Sequence, residues 1–496
     1  MKKLFLLSIS LIFLFPISSF AQDAHYWTEQ FGNRSTLLAG SVVGSVEDLG
    51  AVFYNPGRLA LQEDPTFLIS AKAFQLVKLG VKDAAGEADL SNDKFGSAPT
   101  LAAGSFNLDS VKFLKFFHGH KFAYAFLSRT NFDYTLSARL QQTYAFNANW
   151  PGEEDLYGNV SWNKSVKEEW MGLTWAIPLN TKWAIGLTNF VSTYNESATY
   201  ENGIQAIANE NVLDPTLPPG QQRPVANFSR NRNRSMTTLG YIAKIGLSYD
   251  IDWLSLGLTL TTPKAIITSS GTALFDEALA GYEFARPPSE DDPGSPNNIL
   301  ISNATSEVEV QNKSPMSIAF GAGLKLGKNK LHLSAEWFDK VDQYYSFVPE
   351  PFEAQSSGTI IRNRYVDKRK SVINFGAGIE LVFSEKVSGY ASFATDFSSL
   401  EKTTTETGLD STDNLDNSIF TADIYHYGGG FALDLKKMDL TLGVIYSRGV
   451  QPAGQVFRFP IEEGSVPPED PPKTDLLWER FRILLGFALP FYKFGS

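Results

Sequence analysis

A two-residue hydrophobic rhythm recurs along much of this chain and limits the folds that it can adopt. In residues 318–326 the even positions are apolar and the odd ones small or polar, and residues 373–383 repeat the rhythm with apolar odd positions. Successive side chains of a strand point to opposite faces, so this rhythm predicts β-strands with one apolar face. The three- and four-residue spacing of an amphipathic helix is absent from these segments.

The rhythm and its interruptions predict fourteen strands. We place them at residues 66–80, 97–108, 121–137, 157–178, 182–201, 227–249, 253–275, 299–326, 330–347, 359–383, 387–406, 419–434, 439–451 and 474–491. Tight breaks, such as residues 180–181 and 384–386, alternate with long polar segments, such as 276–298 and 452–473. Short turns at one end and long loops at the other are typical of barrels in outer membranes.

These strands predict an all-β fold class, a transmembrane 14-stranded antiparallel β-barrel formed by residues 64–496. In lipid every backbone amide needs an internal partner, so the sheet must close on itself. Average hydropathy stays modest in such barrels because only one face of each strand is apolar.

The first residues predict a secretory signal peptide over residues 1–21. Lys2 and Lys3 precede an apolar run at 4–15, and Ser19-Phe20-Ala21 provides the small residues of a cleavage site. The alternative is an N-terminal anchor, but the apolar run is short for a membrane span. We therefore expect an exported protein in the outer membrane of a Gram-negative bacterium.

Residues 22–63 form a segment that does not alternate. It is rich in small residues, and Asn55-Pro56 marks a turn before the first predicted strand. A fourteen-stranded barrel has a wide interior, so we predict that this segment is an N-terminal hatch, a plug inside the lumen.

A motif in this segment resembles the outer-membrane long-chain fatty acid transporters, the FadL-like family, which also take up aromatic hydrocarbons. The motif is a stretch of small residues, an acid, and then Ala-x-x-Tyr-Asn-Pro-x-x-Leu-Ala. The matching hatch positions are Gly40, Gly44, Asp48, Tyr54, Asn55, Pro56, Leu59 and Ala60. The resemblance implies a hatched barrel that takes up hydrophobic compounds, foremost long-chain fatty acids, by hatch movement and lateral release into the bilayer.

The resemblance also implies that ligand leaves beside an inward-kinked third strand, here about residues 121–137. The alternation in this strand breaks down towards Asn131, Phe132 and Asp133. Such a break marks either a bulge or kink or the simple end of a strand, and both interpretations stay open.

A fatty acid carboxylate would favour a cation in the pocket. The candidates, by position or by lumen-facing parity, are Arg58, Arg129, Lys244, Lys325 and Arg482. The alternative is structural pairing of these cations with lumen acids such as Glu336, Glu380 or Asp434, because buried charges need partners.

The sequence argues against several other functions. No nucleophile elbow, phosphate loop, zinc-protease motif or dinucleotide fingerprint occurs, so we expect no enzyme activity and no cofactor or metal. The 496 residues include no cysteine, which excludes disulfides and thiolate metal sites, and a formal charge of −11 argues against nucleic acid as a partner.

We expect a monomer whose partners are outer-membrane lipid, lipopolysaccharide and a hydrophobic small molecule such as a long-chain fatty acid. An alternative is a partner-binding role, because the same barrel family also resembles a component of a bacterial protein secretion system. A general diffusion pore is a third hypothesis, and it would need an open lumen.

Overall fold

The structure is a computed structural model that describes residues 24–61, 66–85, 88–108, 115–145, 150, 152–210, 223–281, 298–401, 403, 414–416, 420–435, 438–453 and 474–490. The predicted signal peptide and the ends of the predicted hatch, residues 22–23 and 62–63, lie outside these ranges. The helical turns are α1 (Arg34–Leu37), α2 (Ala51–Tyr54), η1 (Pro56–Leu61) and η2 (Lys115–Phe117). None of the helices in the described ranges is long and apolar enough to cross a membrane.

Strands make up most of the described chain. They are β1 (Thr66–Ala85), β2 (Ala88–Asn107), β3 (Lys121–Tyr144), β4 (Glu154–Pro178), β5 (Trp183–Ala208), β6 (Val225–Ile251), β7 (Leu254–Thr261), β8 (Ala265–Ala280), β9 (Ile299–Ser306), β10 (Glu309–Val310), β11 (Ser317–Leu326), β12 (Asn329–Phe338), β13 (Val341–Val348), β14 (Phe352–Glu353), β15 (Ile360–Ile361), β16 (Arg364–Arg369), β17 (Val372–Ser384), β18 (Val387–Asp396), β19 (Asn414–Asp416), β20 (Ile424–Leu435), β21 (Met438–Ala453) and β22 (Thr474–Pro490).

Fourteen of the described strands form a closed antiparallel ring. Around the ring they are β1–β7, β11, β12, β17, β18 and β20–β22, and pairing of β5 with β6 closes it. β1 pairs with both β2 and β22, so the first and last strands are neighbours. The predicted 14-stranded antiparallel barrel is therefore confirmed.

The ring carries an apolar belt on its outer face. Along β11, Ile318 and Phe320 are exposed, whereas Ser317, Ala319 and Gly321 are buried towards the interior. Other exposed belt residues include Ile69, Phe126, Leu173, Leu258, Ile373, Phe431, Leu442 and Ile483. An apolar outer face this continuous fits contact with lipid chains and would be unfavourable in water.

Four strands, β3–β6, continue far beyond the belt at the end that carries the long loops. On β4 the outward apolar positions end at Met171, and the next outward residues are Glu169 and Lys167. These strands reach 24 to 27 residues, while roughly 9–11 suffice to cross the hydrocarbon. The long-loop end is assigned to the outside and the tight-turn end to the periplasm.

The predicted strand 253–275 is wrong as a single element, because β6 changes partners along its length. β6 pairs with β7 over Lys244–Ile251 and with β8 over Asn227–Tyr241. The chain leaves the ring between β7 and β8, where the buried Lys264 forms an ion pair with buried Glu168 at 3.2 Å. Charged residues do not change the pattern of apolar positions along the sequence. The alternation therefore does not show that the chain leaves the ring between β7 and β8.

The predicted strands 299–326, 330–347 and 359–383 also combine a ring strand with other strands. Only β11, β12 and β17 belong to the ring, and β10, β13, β16 and β19 form a separate small sheet. Phe347 and Val310 of this sheet pack in one buried cluster with Val166 and Met236 of the extended wall. The small sheet therefore covers the upper interior beside β4–β6.

Candidate ligand-binding cavity and lateral gap

Residues 24–61, here called the N-terminal segment, lie inside the ring. Nearly all of them are buried, and they contact strands on all sides of it. Glu29 forms ion pairs with Arg480 at 2.7 Å and Arg482 at 3.0 Å, while Arg58 pairs with Asp250 at 2.5 Å. Because the segment contacts both β22 and the periplasmic end of β6, it must cross the interior.

Several predicted motif residues hold this segment in shape. The Asp48 carboxylate accepts hydrogen bonds from the backbone N–H of Ser35 at 3.0 Å and from its hydroxyl at 2.8 Å. The Tyr54 hydroxyl accepts one from the backbone N–H of Phe31 at 3.0 Å. Gly40 has φ of 76°, and a Cβ there would lie 3.0 Å from the Tyr54 hydroxyl oxygen, so glycine fits best.

The other motif residues bring the segment against the wall. The side-chain amide of the buried Asn55 donates to the backbone carbonyls of Val43 at 2.9 Å and Leu247 at 3.1 Å. Gly44 lies so close to Gly321 that a Cβ on Gly44 would overlap the Gly321 carbonyl. Pro56 and Leu59 are buried, and Ala60 is half-buried. Small residues on both sides therefore allow backbone to approach backbone.

The wall has a gap between β2 and β3. In the described residues the two strands pair only over Leu101–Asn107 and Lys121–Leu127. Beyond these pairs, β2 continues beside β1 and β3 continues beside β4. Phe95, which is 65% exposed, borders the gap on the β2 side. The gap therefore opens the lumen towards the outer half of the apolar belt.

A β-bulge in β3 lies where the gap begins. The register with β4 shifts between Ser128 and Thr130, which leaves Arg129 as the extra residue. Before the bulge the buried positions of β3 are odd, as at Leu127, and after it they are even, as at Tyr134. The bulge thus turns the strand over by one residue and directs the Arg129 side chain inwards.

The three residues predicted at the strand kink, Asn131, Phe132 and Asp133, follow this bulge directly. All three line a cavity of about 270 Å³ that lies beside the gap. Its wall is rich in aromatic side chains, namely Phe95, Phe132, Tyr134, Trp162, Tyr200, Tyr365, Phe420 and Trp478. Such a surface offers apolar contact to the body of a ligand.

Basic side chains outnumber acidic ones around the same cavity. The basic residues are Lys94, Arg129, Lys164, Lys167, Arg232, Arg234 and Arg480, and the acidic ones are Glu29 and Asp133. Just behind the cavity wall, Glu196 forms ion pairs with Arg234 at 2.5 Å and with Lys164 at 3.6 Å. Glu196 lies above the belt; burial raises the pKa of its carboxyl, but these cations outweigh that effect and lower the pKa to about 2.

A second, smaller cavity of about 30 Å³ lies deeper, against the N-terminal segment. Phe53 of α2 projects into it, with the Lys244 ammonium 3.8 Å and the Arg129 guanidinium 5.9 Å from the ring centre. Arg129 also donates to the backbone carbonyl of Tyr26 at 2.7 Å. Because Arg129 lines both cavities, it stands at the junction between them.

The five predicted head-group candidates thus fall into two groups. Arg129 and Lys244 line cavities, whereas Arg58 and Arg482 are engaged by Asp250 and Glu29. Lys325 is exposed at the periplasmic end of β11, and it lines neither cavity. The acids expected to pair with these cations instead accept hydrogen bonds from other side chains. Glu336 accepts from Ser317 and Trp27. Glu380 accepts from Tyr390, and Asp434 accepts from Arg34.

Sequence reasoning missed most of the cations at the larger cavity. A signal for two of them exists in the alternating Arg230-Asn231-Arg232-Asn233-Arg234. On a strand these arginines share one face, and Met236 continues that face into the interior. Within the described ranges, no group of three His, Asp or Glu side chains is placed to hold a metal ion.

Sequence comparison finds no matching family model and no matching curated relative. By structure, the chain is similar to the Pseudomonas putida toluene transporter TodX, with a TM-score of 0.51, 9% identity, and coverage of 94% of this chain and 99% of that one. A FadL homologue from Pseudomonas aeruginosa is also similar, with a TM-score of 0.49, 10% identity, and coverage of 96% of this chain and 100% of that one. The chain therefore shares the fold of the TodX barrel at a low level of sequence identity.

Proposed function

We propose that this protein takes up hydrophobic compounds across the outer membrane, and that its ligands are long-chain fatty acids or similar acidic amphiphiles. The observation that carries the proposal is the large cavity, which combines an aromatic wall with an excess of basic side chains and lies beside a gap in the barrel wall. Neutral molecules would need only the aromatic wall, whereas a carboxylate also uses the cations.

The route we propose runs from the outside, through the large cavity to its junction with the smaller one at Arg129, and sideways through the gap that begins there into the bilayer. Each CH₂ group removed from water contributes about 0.8 kcal/mol, so a long alkyl chain favours an apolar path throughout. A lateral exit spares the ligand a passage through the aqueous periplasm. Phe95 and Phe74, whose rings lie 5.7 Å apart, provide an apolar edge at the gap.

In this proposal the N-terminal segment acts as the hatch, and its movement joins the two cavities. Arg129 contacts the segment through Tyr26 and lines both cavities, so a shift of the segment would alter the junction. The carboxylate would be held first by the cations of the large cavity and then by Arg129 and Lys244. Binding in steps keeps each site weak enough for release.

The structural likeness to TodX, described as a toluene transporter, supports uptake of hydrophobic compounds in general. The choice of an acidic ligand rests on this chain's own cations. We also propose that the chain reaches the outer membrane after removal of residues 1–21 as a signal peptide.

Mass spectrometry of lipids that co-purify with the protein, combined with uptake of labelled oleate by a deletion strain, tests this function. We expect bound fatty acid and reduced oleate uptake that the wild-type chain restores. No bound lipid and unchanged uptake would contradict the proposal. Loss of a secreted protein from the cell surface with normal oleate uptake would favour the secretion-system role instead.

A further inference from the structure

The connection between β2 and β3 differs from its neighbours at the periplasmic end. The other consecutive ring strands that meet at this end are joined by residues 179–182, 252–253, 327–328, 385–386 and 436–437, whereas β2 and β3 are joined by residues 108–120. The described part of this connection includes the helical turn η2 and continues to His120. We call residues 115–120 the periplasmic loop.

The periplasmic loop folds back against the outside of the barrel. The ring of Phe117 lies 5.6 Å from the ring of Phe122 and 6.0 Å from that of Trp175. Phe122 and Trp175 are paired across β3 and β4, and their neighbours Ala123 and Ala176 are buried towards the interior. By alternation Phe122 and Trp175 face outwards, so Phe117 packs on the membrane side of the wall.

The loop extends the apolar belt without interruption. Phe106 stacks on Phe122 with 5.6 Å between ring centres, and Phe116 packs edge-on against Phe117 at 5.2 Å. Phe116 is 72% exposed and Phe106 is 40% exposed. The Trp175 indole N–H donates to His120 at 3.2 Å, so the polar edge of this ring is satisfied within the patch.

The apolar patch formed by Phe106, Phe116, Phe117, Phe122 and Trp175 would be unfavourable in water. Removing a phenylalanine side chain from water is favourable, and Phe116 leaves most of its surface uncovered by protein. Aromatic side chains concentrate at the interfaces of a bilayer, where ring faces meet chains and polar edges meet head groups. Continuity with the belt identifies the phospholipid bilayer as the cover.

We propose that the periplasmic loop is an interfacial anchor that inserts Phe116 and Phe117 into the periplasmic leaflet of the membrane. Its partner is the boundary between the head groups and acyl chains of phospholipids. The anchor lies at the periplasmic end of the short paired region of β2 and β3, over Leu101–Asn107 and Lys121–Leu127. Its contact with lipid would therefore stabilise the two strands that border the gap. This inference does not depend on the proposed ligand.

Site-directed spin labelling tests the anchor, and the chain suits this method because it has no cysteine. The variant Phe116→Cys carries the label in nanodiscs of phosphatidylethanolamine and phosphatidylglycerol. Phe126→Cys, on the exposed belt, is the lipid reference, and Lys328→Cys, in the β11–β12 turn, is the aqueous reference. Collisions with oxygen and with a water-soluble nickel chelate are measured for each label.

We expect the oxygen-to-nickel collision ratio at Phe116→Cys to exceed that at Lys328→Cys several-fold and to approach that at Phe126→Cys. A ratio equal to that at Lys328→Cys would overturn the anchor, because the loop would then be in water. Low collision rates with both reagents would also overturn it, since they indicate cover by protein. If Phe116→Cys fails to fold, Phe117→Cys gives the same readout.

Discussion

Lys94 on β2 forms an ion pair with Asp133 on β3, across the part of the wall where the described residues of these two strands no longer pair. Both residues also line the large cavity. The pair therefore joins the two sides of the proposed exit, and we call it the latch.

Breaking this latch should increase uptake without unfolding the barrel. The two side chains are 46% and 35% exposed, and an exposed pair contributes at most about 1 kcal/mol. We expect Asp133→Asn to leave the heat-induced gel shift of the barrel unchanged and to raise the rate of oleate uptake, because the gap opens more readily. Uptake is measured in cells with matched protein levels.

A charge swap provides the control for this prediction. Lys94→Asp combined with Asp133→Lys should return uptake towards the wild-type rate, since the attraction is restored. Lys340→Met breaks an exposed ion pair with Asp342 away from the cavity, so it should leave the rate of oleate uptake unchanged. Equal uptake by wild type and Asp133→Asn would show that the pair does not control the exit.

Arg129 should distinguish acidic ligands from neutral ones. A hydrogen bond to a charged group contributes about 1.5–3 kcal/mol, and about 1.4 kcal/mol corresponds to a tenfold change in affinity. We expect Arg129→Met to weaken oleate binding roughly tenfold or more and to leave hexadecane binding close to wild type. Titration of the purified protein with both ligands measures the difference.

Lys325→Met is the matched control, because it removes an exposed cation far from either cavity. Its oleate affinity should equal that of the wild type. An equal loss for oleate and hexadecane in Arg129→Met would mean that Arg129 shapes the cavity without recognising charge.

Gly44 should be essential for the seal between the N-terminal segment and β11. A methyl group at Gly44 would overlap the backbone of Gly321, and forcing extra atoms into packed structure costs about 1–3 kcal/mol. We expect Gly44→Ala to displace the segment and to raise ion conductance in planar bilayers, while the barrel stays heat-resistant. At Gly80 an added Cβ meets its nearest atom at 3.8 Å, so Gly80→Ala should conduct like the wild type. Wild-type conductance in Gly44→Ala would contradict a tight seal.

The barrel itself was predictable because lipid imposes a simple rule on sequence. Outward positions such as Phe320 must be apolar, and their inward neighbours such as Gly321 must be small or polar beside the N-terminal segment. Every second residue of a ring strand follows that rule, so the number of strands can be predicted from the alternation. The rule does not apply above the belt, where both strand faces meet water or protein, so the alternation does not distinguish β8–β10 from the strands of the ring.

The cavity was harder to predict because one residue decides its geometry. The bulge at Arg129 reverses which residues of β3 face inwards; the break in alternation near Asn131 indicates the neighbourhood of the insertion but not the inserted residue itself. Without the position of the bulge, the sequence does not tell which residues of β3 face the interior. The inward residues of β3 therefore cannot be assigned to one site with the arginines of β6. The alternating Arg232 and Arg234 could have been found, but their meeting with Trp478 and Arg480 depends on how the ring closes.

Asn55 and Pro56 should matter for uptake far more than for the barrel. The Asn55 amide joins Val43 in the N-terminal segment to Leu247 in the wall, and removing it leaves two carbonyls without this donor, at about 1–3 kcal/mol for each buried group. Losing these hydrogen bonds destabilises the N-terminal segment, whereas the ring keeps the backbone hydrogen bonds between its own strands. We therefore expect Asn55→Leu with Pro56→Ala to fold into a heat-resistant barrel and to lower oleate uptake. Asn189→Leu, which removes an outward-facing amide on β5, should keep normal uptake. If the double variant loses the barrel as well, the motif serves folding, and its part in transport must be abandoned.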